Sequence, residues 1–270
     1  QLGCGGGNCT PCHQLMKLAS YWLSPPTEEL YHGENMRRPP TPLNLHWGLV
    51  QGDAFHLPLR DGVVDVVVAD PPYEGTARGK RRVPARRVGY IPFSGRGWFP
   101  EAWRVLKPGG HLYLVCSIKE SHQWRVRPKQ LVDTICWRVP NAASLAAHWR
   151  RGIGGRAPVW QPILHYQKPP RMPIVWPDGF VRENYIEASR IQSNMKEALP
   201  WPNQLPIKLL LWLLAPHQGL VLDLFSGTGS AGRAATSLGL AVISVDASTS
   251  AISLTKRQPI PLPLFPTTGP

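Results

Sequence analysis

The chain alternates short apolar runs with amphipathic segments, a pattern typical of α/β proteins. Strands are predicted in LHWGLVQGD, VVDVVVADPPY, HLYLVCS, CWRVP, QPILHYQK, GLVLD and LAVISVDAS. Helices are predicted in WFPEAWRVLKPGG, which ends at a glycine pair, in PKQLVDTI, in QLPIKLLLWLLAP, and after the glycine loop SGTGSAGR. This alternation predicts an α/β sandwich with a mostly parallel sheet.

The apolar run VVVAD leads into two consecutive prolines and a tyrosine. Pro71 and Pro72 have no backbone N–H to donate to a sheet, so the strand must end at this point. The turn therefore places Asp70 and Tyr73 at the carboxyl end of a strand, where open α/β sheets bind their ligands.

A glycine loop follows a later strand and precedes a helix, with glycines at Gly227, Gly229 and Gly232. Such glycines allow a ligand to approach the backbone, and the start of a helix favours negative charge. Asp246 ends the next strand, where a carboxylate can accept both hydroxyls of a ribose. The approach to the loop through Phe225 does not fit the nicotinamide fingerprint. A tight turn without a ligand stays open as an alternative.

Taken together, these segments resemble the amino-methyltransferases of DNA. DLFSGTG is similar to their S-adenosylmethionine loop, DPPY to their catalytic motif, and WPNQLPIKLLLWLL to the motif that closes over the methionine part of the cofactor. Here Trp201 and Leu205 stand where many relatives carry His and Lys. The catalytic motif precedes the cofactor loop, as in the permuted beta group. RNA guanine methyltransferases and release-factor glutamine methyltransferases share the Pro-Pro-Tyr turn but usually carry it downstream.

The resemblance implies a Rossmann-like methyltransferase sheet that is circularly permuted, with an inserted target-recognition region and a cysteine-containing leader. It divides the chain into a leader, a catalytic half, a strand with the target-recognition insertion, a cofactor-binding half and a proline-rich tail. These segments are expected at residues 1–45, 46–140, 141–200, 201–258 and 259–270.

The resemblance also implies a mechanism in which the enzyme flips a base out of the duplex. Asp70 and the carbonyl of Pro71 would accept the two hydrogens of the exocyclic amine, the two prolines would fix the direction of the turn, and Tyr73 would stack on the base. An Asp-led motif usually accompanies adenine, so adenine is expected. The amine of cytosine, an RNA substrate, and a non-catalytic DNA-binding protein on the same scaffold stay open.

The resemblance implies a set of cofactor contacts: Asp53, Asn203, Gln204, Asp223, Phe225, Gly227, Gly229 and Asp246. Within this set, the glycine loop and its preceding phenylalanine would hold the methionine part, and Asp246 would hold the ribose. Asp53 would bind the adenine edge, unless it only caps a turn. Asn203 and Gln204 would contact the methionine carboxylate.

Basic residues outnumber acidic ones by 30 to 17, which gives a formal net charge of +13. This excess predicts a polyanionic partner, and the resemblance makes it double-stranded DNA. The expected phosphate contacts lie in the loop after the catalytic turn and in the insertion: Lys80, Arg81, Arg82, Arg86, Arg87, Arg150 and Arg151. The alternative is a run of solvated charges without a partner.

The leader carries three cysteines with spacing C-x4-C-x2-C: Cys4, Cys9 and Cys12. Thiolates at this spacing suit zinc, and an iron–sulfur cluster also fits. A fourth ligand could come from His13, from His32 or from a cysteine upstream of Gln1. Free thiols are the equally weighted alternative.

No apolar run reaches the roughly 18 residues of a membrane span, so no membrane partner is expected. The sequence shows no secretory signal, and a cytoplasmic protein of a prokaryote or phage is expected. From the resemblance we also expect two protein partners, a cognate restriction endonuclease and a second copy of the chain in a homodimer.

Overall fold

The structure is a computed structural model that describes residues 47–72, 96–125, 127–142, 159–180, 182–201 and 203–258. Most of the described residues belong to one compact unit, to which residues 41–176 and 183–270 of the chain are assigned. Residues 177–182 are assigned to a second unit.

Eight strands form one sheet. They are β1 (Trp47–Gln51), β2 (Val64–Ala69), β3 (Leu106–Val115), β4 (Leu131–Arg138), β5 (Trp160–Gln167), β6 (Tyr185–Glu187), β7 (Leu220–Asp223) and β8 (Ala241–Asp246). Their order across the sheet is β1-β8-β7-β2-β3-β5-β4-β6. Only β5 runs antiparallel to its neighbours β3 and β4, while the other described pairs are parallel. The mostly parallel sheet predicted from the sequence is therefore confirmed.

Within the described residues, four α-helices accompany the sheet: α1 (Trp98–Val105), α2 (Ile207–Leu214), α3 (Ser230–Ser237) and α4 (Thr249–Lys256). Helix α1 connects β2 to β3, and α3 connects β7 to β8, as crossovers between parallel strands require. Ser248 caps the amino end of helix α4, since its hydroxyl accepts the amide of Ala251 at 3.4 Å. Among the described residues, no helix has the length and apolar character of a candidate membrane span.

Strand β2 is buried on both faces, which explains why its sequence is almost continuously apolar. Val66 and Val68 belong to a core that includes residues of α2 and α3. Val67 and Ala69 belong to the core on the other face, which includes residues of α1. The strand that leads into Asp70 is thus packed between helices on both faces of the sheet.

The helix predicted in PKQLVDTI is wrong. Only Pro128–Gln130 forms a turn of 3-10 helix, and Leu131 already begins β4, which pairs antiparallel with β5. The run LVDTI contains three β-branched residues, and the second half of β4 alternates the buried Ile135 and Trp137 with less buried neighbours. A short apolar run of this kind can be either element, and here the pairing with β5 decides for the strand.

Helix α1 also ends earlier than the glycine pair that was expected to end it. It ends at Val105, and β3 begins at the next residue and includes the pair Gly109 and Gly110. Lys168, which follows β5, donates its ammonium to the carbonyls of Trp103 at 2.7 Å and Leu106 at 2.6 Å. These bonds satisfy carbonyls at the helix end, so no glycine cap is needed.

The short strand β6 and helix α4 were not predicted from the sequence. Strand β6 lies in the segment 141–200, and it pairs in parallel with β4 at the edge of the sheet. The five-part division of the chain stays a prediction.

Candidate active site

Four neighbouring parallel strands, β1, β8, β7 and β2, each end at or close to an aspartate. Asp246 and Asp223 are the last residues of β8 and β7, Asp70 directly follows β2, and Asp53 lies two residues after β1. Because the strands are parallel, all four side chains lie on the same side of the sheet, the edge that is formed by the carboxyl ends of these strands. We call these four residues the acidic cluster.

The glycine loop is tied to the strands on either side of β7. The amide of Leu224 donates to the carbonyl of Val68 in β2 at 3.0 Å, and the amide of Ser226 donates to Val245 in β8 at 3.0 Å. Gly229, at the start of α3, has a φ of 73°, which an L side chain rarely adopts. The loop therefore lies between the ends of β2 and β8.

Asp246 holds the glycine loop and the start of the next helix together. One carboxylate oxygen accepts the amide of Gly227 at 2.8 Å, and the other accepts the amide of Ser248 at 2.8 Å. Burial raises the pKa of Asp246, and these two amides oppose that effect. The carboxylate keeps further lone pairs with which it can accept a ligand hydroxyl.

Asp223 lies deeper than Asp246, with 5% of its surface exposed. Burial, with a smaller contribution from the nearby charge of Asp246, raises the pKa of Asp223 to about 7. The hydroxyl of Ser244 donates to Asp223 at 3.4 Å and accepts the indole N–H of Trp47 at 2.9 Å. Asp223 thus takes part in a buried network that connects β1, β8 and β7.

The sequence predicts that the loop glycines leave room for a ligand, and in the structure two of them also make room for protein side chains. A Cβ at Gly232 would lie 2.3 Å from the ring of Trp47, and one at Gly229 would lie 2.5 Å from the methyl of Thr255. Real Cβ contacts are longer than this, so these two glycines make room for protein side chains. A Cβ at Gly227 would meet the indole nitrogen of Trp201 at 3.1 Å.

Asp70 is half-buried, Pro71 is buried and Pro72 is half-buried at the end of β2. The charge of Asp70 contributes to the raised pKa values of Asp223, in β7, and of Cys116, which follows β3. Asp70 is thus electrostatically coupled to the ends of both strands that flank its own. Tyr73 lies outside the described residues.

An aromatic group that the sequence analysis did not identify lines the same edge. Trp98 makes an edge-to-face contact with Phe225, with ring centroids 5.3 Å apart, and it also contacts Trp124 at 5.4 Å. Trp98 is buried, and its indole nitrogen has no hydrogen-bond partner among the described residues. A signal was present in GWFPEAW, where the tryptophan follows the catalytic loop, but amphipathic periodicity assigns it to the core.

Asp53 and the segment before α2 complete the expected cofactor residues. Asp53 accepts the amide of Phe55 at 3.0 Å, as a turn-capping residue does, and its side chain is 58% exposed. Asn203 is exposed and has a φ of 57°. The buried Gln204 accepts the amide of Leu199 at 3.1 Å and donates to the carbonyl of Glu197 at 2.9 Å. Gln204 therefore stabilises its own loop.

The N6/N4 methyltransferase family model, described as DNA methylase, matches residues 64–257. The chain belongs to this family. The type II methyltransferase M.HpaI of Haemophilus parainfluenzae is 26% identical to this methylase over 228 residues, which are 74% of this chain and 69% of that protein. Methyl transfer to amino groups of DNA is therefore the activity of the family to which the chain belongs.

Solved structures show the same fold. The M1.HpyAVI–SAM complex superposes with a TM-score of 0.59 at 17% identity, over 78% of this chain and 98% of that one. The PvuII DNA methyltransferase, which is cytosine-N4-specific, gives a TM-score of 0.56 at 16% identity, over 78% and 85%. TTHA0409 of Thermus thermophilus, complexed with S-adenosyl-L-methionine, gives 0.55 at 19% identity, over 78% and 92%. The Rossmann-like methyltransferase sheet expected from the sequence is confirmed.

Several expected site residues of the methylase lie outside the described residues. They are Tyr73, the basic residues Lys80, Arg81, Arg82, Arg86, Arg87, Arg150 and Arg151, and the cysteines Cys4, Cys9 and Cys12. Within the described ranges, no group of three or more His, Cys, Asp or Glu side chains is arranged to hold a metal ion. The described site thus consists of the acidic cluster, the glycine loop and the aromatic group.

Proposed function

We propose that this methylase transfers a methyl group from S-adenosylmethionine to the exocyclic amino group of adenine in double-stranded DNA. The observation that carries the proposal is that β7, which leads into the glycine loop, lies beside β2, which leads into Asp70. A cofactor on the loop and an amine on Asp70 would meet at one edge of the sheet.

The residues at this edge fit S-adenosylmethionine, which supplies the methyl group on a positively charged sulfonium. Asp246 and Asp53 would accept the ribose hydroxyls and the adenine amine, and Phe225 would pack against the cofactor beside the buried Trp98. The indole nitrogen of Trp98, which has no partner within the described ranges, supports a ligand at this site, because buried donors rarely lack a partner. The remaining expected contacts come from the residues around them: Asn203, Gln204, Asp223, Gly227 and Gly229.

The chemistry assigned to the turn after β2 is positioning of the amine. Asp70 would accept one amine hydrogen and the carbonyl of Pro71 the other, which aims the nitrogen lone pair at the methyl group. Pro72 keeps the turn rigid, since proline fixes φ. Tyr73 would stack on the flipped base, which is worth about 1–3 kcal/mol.

The choice of adenine rests on the Asp-led motif, which resembles that of adenine enzymes. Cytosine also presents an exocyclic amine, so the same arrangement of acceptors would serve it. The nucleoside product is therefore part of the test below.

We propose that the chain is circularly permuted relative to a simple methyltransferase sheet. Strand β2, with the catalytic turn, precedes β7, with the glycine loop, although the two are neighbours in the sheet. This order along the chain supports the proposal.

We propose that the basic loop after Tyr73 and the arginines at 150 and 151 contact DNA phosphates. Each phosphate contact adds about 0.9 to the slope of log affinity against log salt. Replacing Arg81 and Arg82 by glutamine should therefore flatten this slope, and an unchanged slope would remove the loop from the interface.

We also propose that Cys4, Cys9 and Cys12 bind zinc or an iron–sulfur cluster, which their spacing supports. Release of metal on denaturation, assayed for both zinc and iron, tests this, and less than one equivalent per chain would contradict it. A cognate restriction endonuclease and a second copy of the chain are the proposed protein partners, on the strength of the resemblance.

Transfer of labelled methyl groups to duplex DNA, with RNA alongside, tests the function, followed by mass analysis of the digested nucleosides. Methyladenine in DNA is the expected product. Methylcytosine on the amine would keep the mechanism and change the base. Label in RNA alone would overturn the substrate, and bound cofactor without any transfer would favour a binding protein.

A further inference from the structure

Arg233 lies in α3, one turn after the glycine loop, and its amide donates to the carbonyl of Gly229 at 2.9 Å. The Cα–Cβ bond of a helical residue is tilted toward the amino end of the helix, so the side chain of Arg233 starts out toward the end of α3 that follows Gly229. The atoms Nε and Nη2 of Arg233 are buried and have no hydrogen-bond partner in the part of the chain that the structure describes. A buried charged donor without a partner is costly, which indicates that a partner is missing.

No carboxylate among the described residues lies within 4.0 Å of this guanidinium. Burial lowers the pKa of Arg233, and the charge of the exposed Glu197 opposes this effect only in part. An arginine keeps its proton under these conditions. The site around Arg233 therefore carries a positive charge that is not neutralised by a direct ion pair.

Glu197 belongs to the segment that also covers the glycine loop, since Trp201 lies against Gly227. The resemblance assigns this segment to the methionine part of the cofactor, but here Leu205 replaces a lysine of many relatives. The amide of Gln204, one of the two residues expected to bind the methionine carboxylate, is bonded to Leu199 and Glu197. The segment thus offers the methionine carboxylate no cation at position 205, and one of the two N–H donors of the Gln204 amide is already bonded to Glu197.

We propose that Arg233 binds the carboxylate of the methionine part of S-adenosylmethionine. The proposal rests on the proposed function, because it takes the glycine loop as the cofactor site. A carboxylate has the planar geometry that pairs with the two unpartnered N–H groups of a guanidinium. Arg233 then supplies from α3 the positive charge that is missing at position 205.

Decarboxylated S-adenosylmethionine separates the contacts of the carboxylate from every other cofactor contact, because it lacks only the carboxylate, and the Arg233 variants then isolate the share of Arg233. Calorimetric titration of the full chain should show that the wild type binds S-adenosylmethionine about 10- to 100-fold more tightly than the decarboxylated compound. In Arg233→Gln this preference should disappear: affinity for S-adenosylmethionine falls by the same factor, and affinity for the decarboxylated compound stays within about 2-fold.

Arg233→Lys keeps the charge but not the paired donors, so it should retain part of the preference. Arg257→Gln, an exposed arginine after α4, is the matched control and should bind both compounds as the wild type does. Thermal melting and circular dichroism of each variant show whether it folds. If Arg233→Gln does not fold, the partial preference expected of Arg233→Lys is compared with the full preference of the wild type and carries the test.

If Arg233→Gln lost affinity for both compounds equally, Arg233 would have a purely structural role, and the proposal would be overturned. A wild type that does not prefer the carboxylate would overturn it as well, while leaving the cofactor assignment in place. Failure of the wild type to bind either compound would instead overturn the proposed function, and this inference with it.

Discussion

The acidic cluster at the edge of the sheet can be compared with a second polar group in the core beside β3 and β5. This second group, which we call the imidazole cluster, contains His111, His165 and His217 together with Tyr113 and Gln167. The rings of Tyr113 and His165 stack with centroids 4.5 Å apart, and those of His111 and His217 lie 4.7 Å apart. Both clusters hold titratable side chains, and all of these except the exposed Asp53 are buried or half-buried.

The three imidazole rings of this cluster bond to other members of the cluster. Nδ1 of His111 lies 2.9 Å from Nε2 of His165, and the hydroxyl of Tyr113 lies 2.7 Å from Nε2 of His217. Burial lowers the pKa of His111 to about 4 and that of His165 to about 3, and it also lowers the pKa of His217. All three rings are therefore neutral at pH 7.

The acidic cluster is directed outward instead. Asp246 accepts main-chain amides of the glycine loop and of the start of α4, and Asp53 accepts an amide of the turn after β1. These partners belong to segments at the ligand-binding edge, whereas the imidazoles are bonded only to core side chains of the described residues. Burial and shifted pKa values therefore do not identify an active site by themselves. The polar groups must also face the loops that could bind a ligand.

The largest expected difference between the clusters is in activity, and Asp70→Ala tests it. Removing the carboxylate takes away one of two proposed acceptors for the amine, so transfer should fall by about 10³-fold. Cofactor affinity should stay within about 3-fold, because Asp70 is proposed to contact the base and not the cofactor. Single-turnover transfer and calorimetry measure the two quantities.

Asp61→Ala is the matched control for Asp70→Ala. Asp61 is a 79% exposed carboxylate whose ion pair with Arg104 lies away from the acidic cluster, so transfer should be unchanged. Parallel loss of transfer and of cofactor affinity in Asp70→Ala would show that the role assigned to Asp70 is wrong.

The second prediction concerns the stability of the imidazole cluster at acid pH. The folded-state pKa values of His111 and His165 lie below the unfolded value, so the unfolded chain binds more protons as the pH falls below about 6.5. The neutral, buried imidazoles therefore stabilise the fold at neutral pH, and this contribution is lost toward pH 4. Between pH 8 and pH 5 the free energy of unfolding should fall by about 2 kcal/mol per histidine. Urea unfolding at pH 8, 6.5 and 5 measures this loss.

His165→Gln should reduce this acid-induced loss by about 2 kcal/mol. His122→Gln, an exposed histidine after β3, should leave the pH dependence as in the wild type. A pH dependence that is the same in His165→Gln and in the wild type would contradict the assignment of neutral, buried imidazoles.

The two clusters were not equally predictable from the sequence. The prolines at 71 and 72 and the glycines of the loop mark strand ends locally, so the acidic cluster follows from periodicity and turn chemistry. The imidazole cluster depends on the antiparallel pairing of β3 with β5 and on a contact between Tyr113 and His217, 104 positions apart. No local pattern encodes such pairings, which also explains why a helix is predicted for Leu131–Ile135, the first part of β4.

The third prediction tests the packing that supports the acidic cluster. In Gly232→Ala the new methyl group would lie 2.3 Å from the ring of Trp47, which its hydrogen bond to Ser244 holds in place. The clash should cost about 3 kcal/mol, and the better helix propensity of alanine should return about 1 kcal/mol of this. A net loss of about 2 kcal/mol is expected in urea unfolding.

Gly48→Ala, in β1, is the control, because its Cβ would meet no heavy atom closer than 3.8 Å. It should change stability by less than about 1 kcal/mol. If Gly232→Ala were as stable as Gly48→Ala, the ring of Trp47 would have room to move, and the buried network to Asp223 would not be rigid.

The smallest expected effect separates the ligand-binding role of Asp246 from its structural one. Asn in place of Asp246 removes the negative charge and one acceptor, so either the amide of Gly227 or that of Ser248 loses its partner. Cofactor affinity should fall by about 10-fold, which corresponds to about 1.4 kcal/mol. Ser248→Ala removes the cap of α4 instead, so it should lower stability by about 1 kcal/mol and leave cofactor affinity unchanged. If Asp246→Asn lowered only stability, as Ser248→Ala is expected to, Asp246 would be a structural residue, and the acidic cluster would resemble the imidazole cluster more closely than its place at the edge suggests.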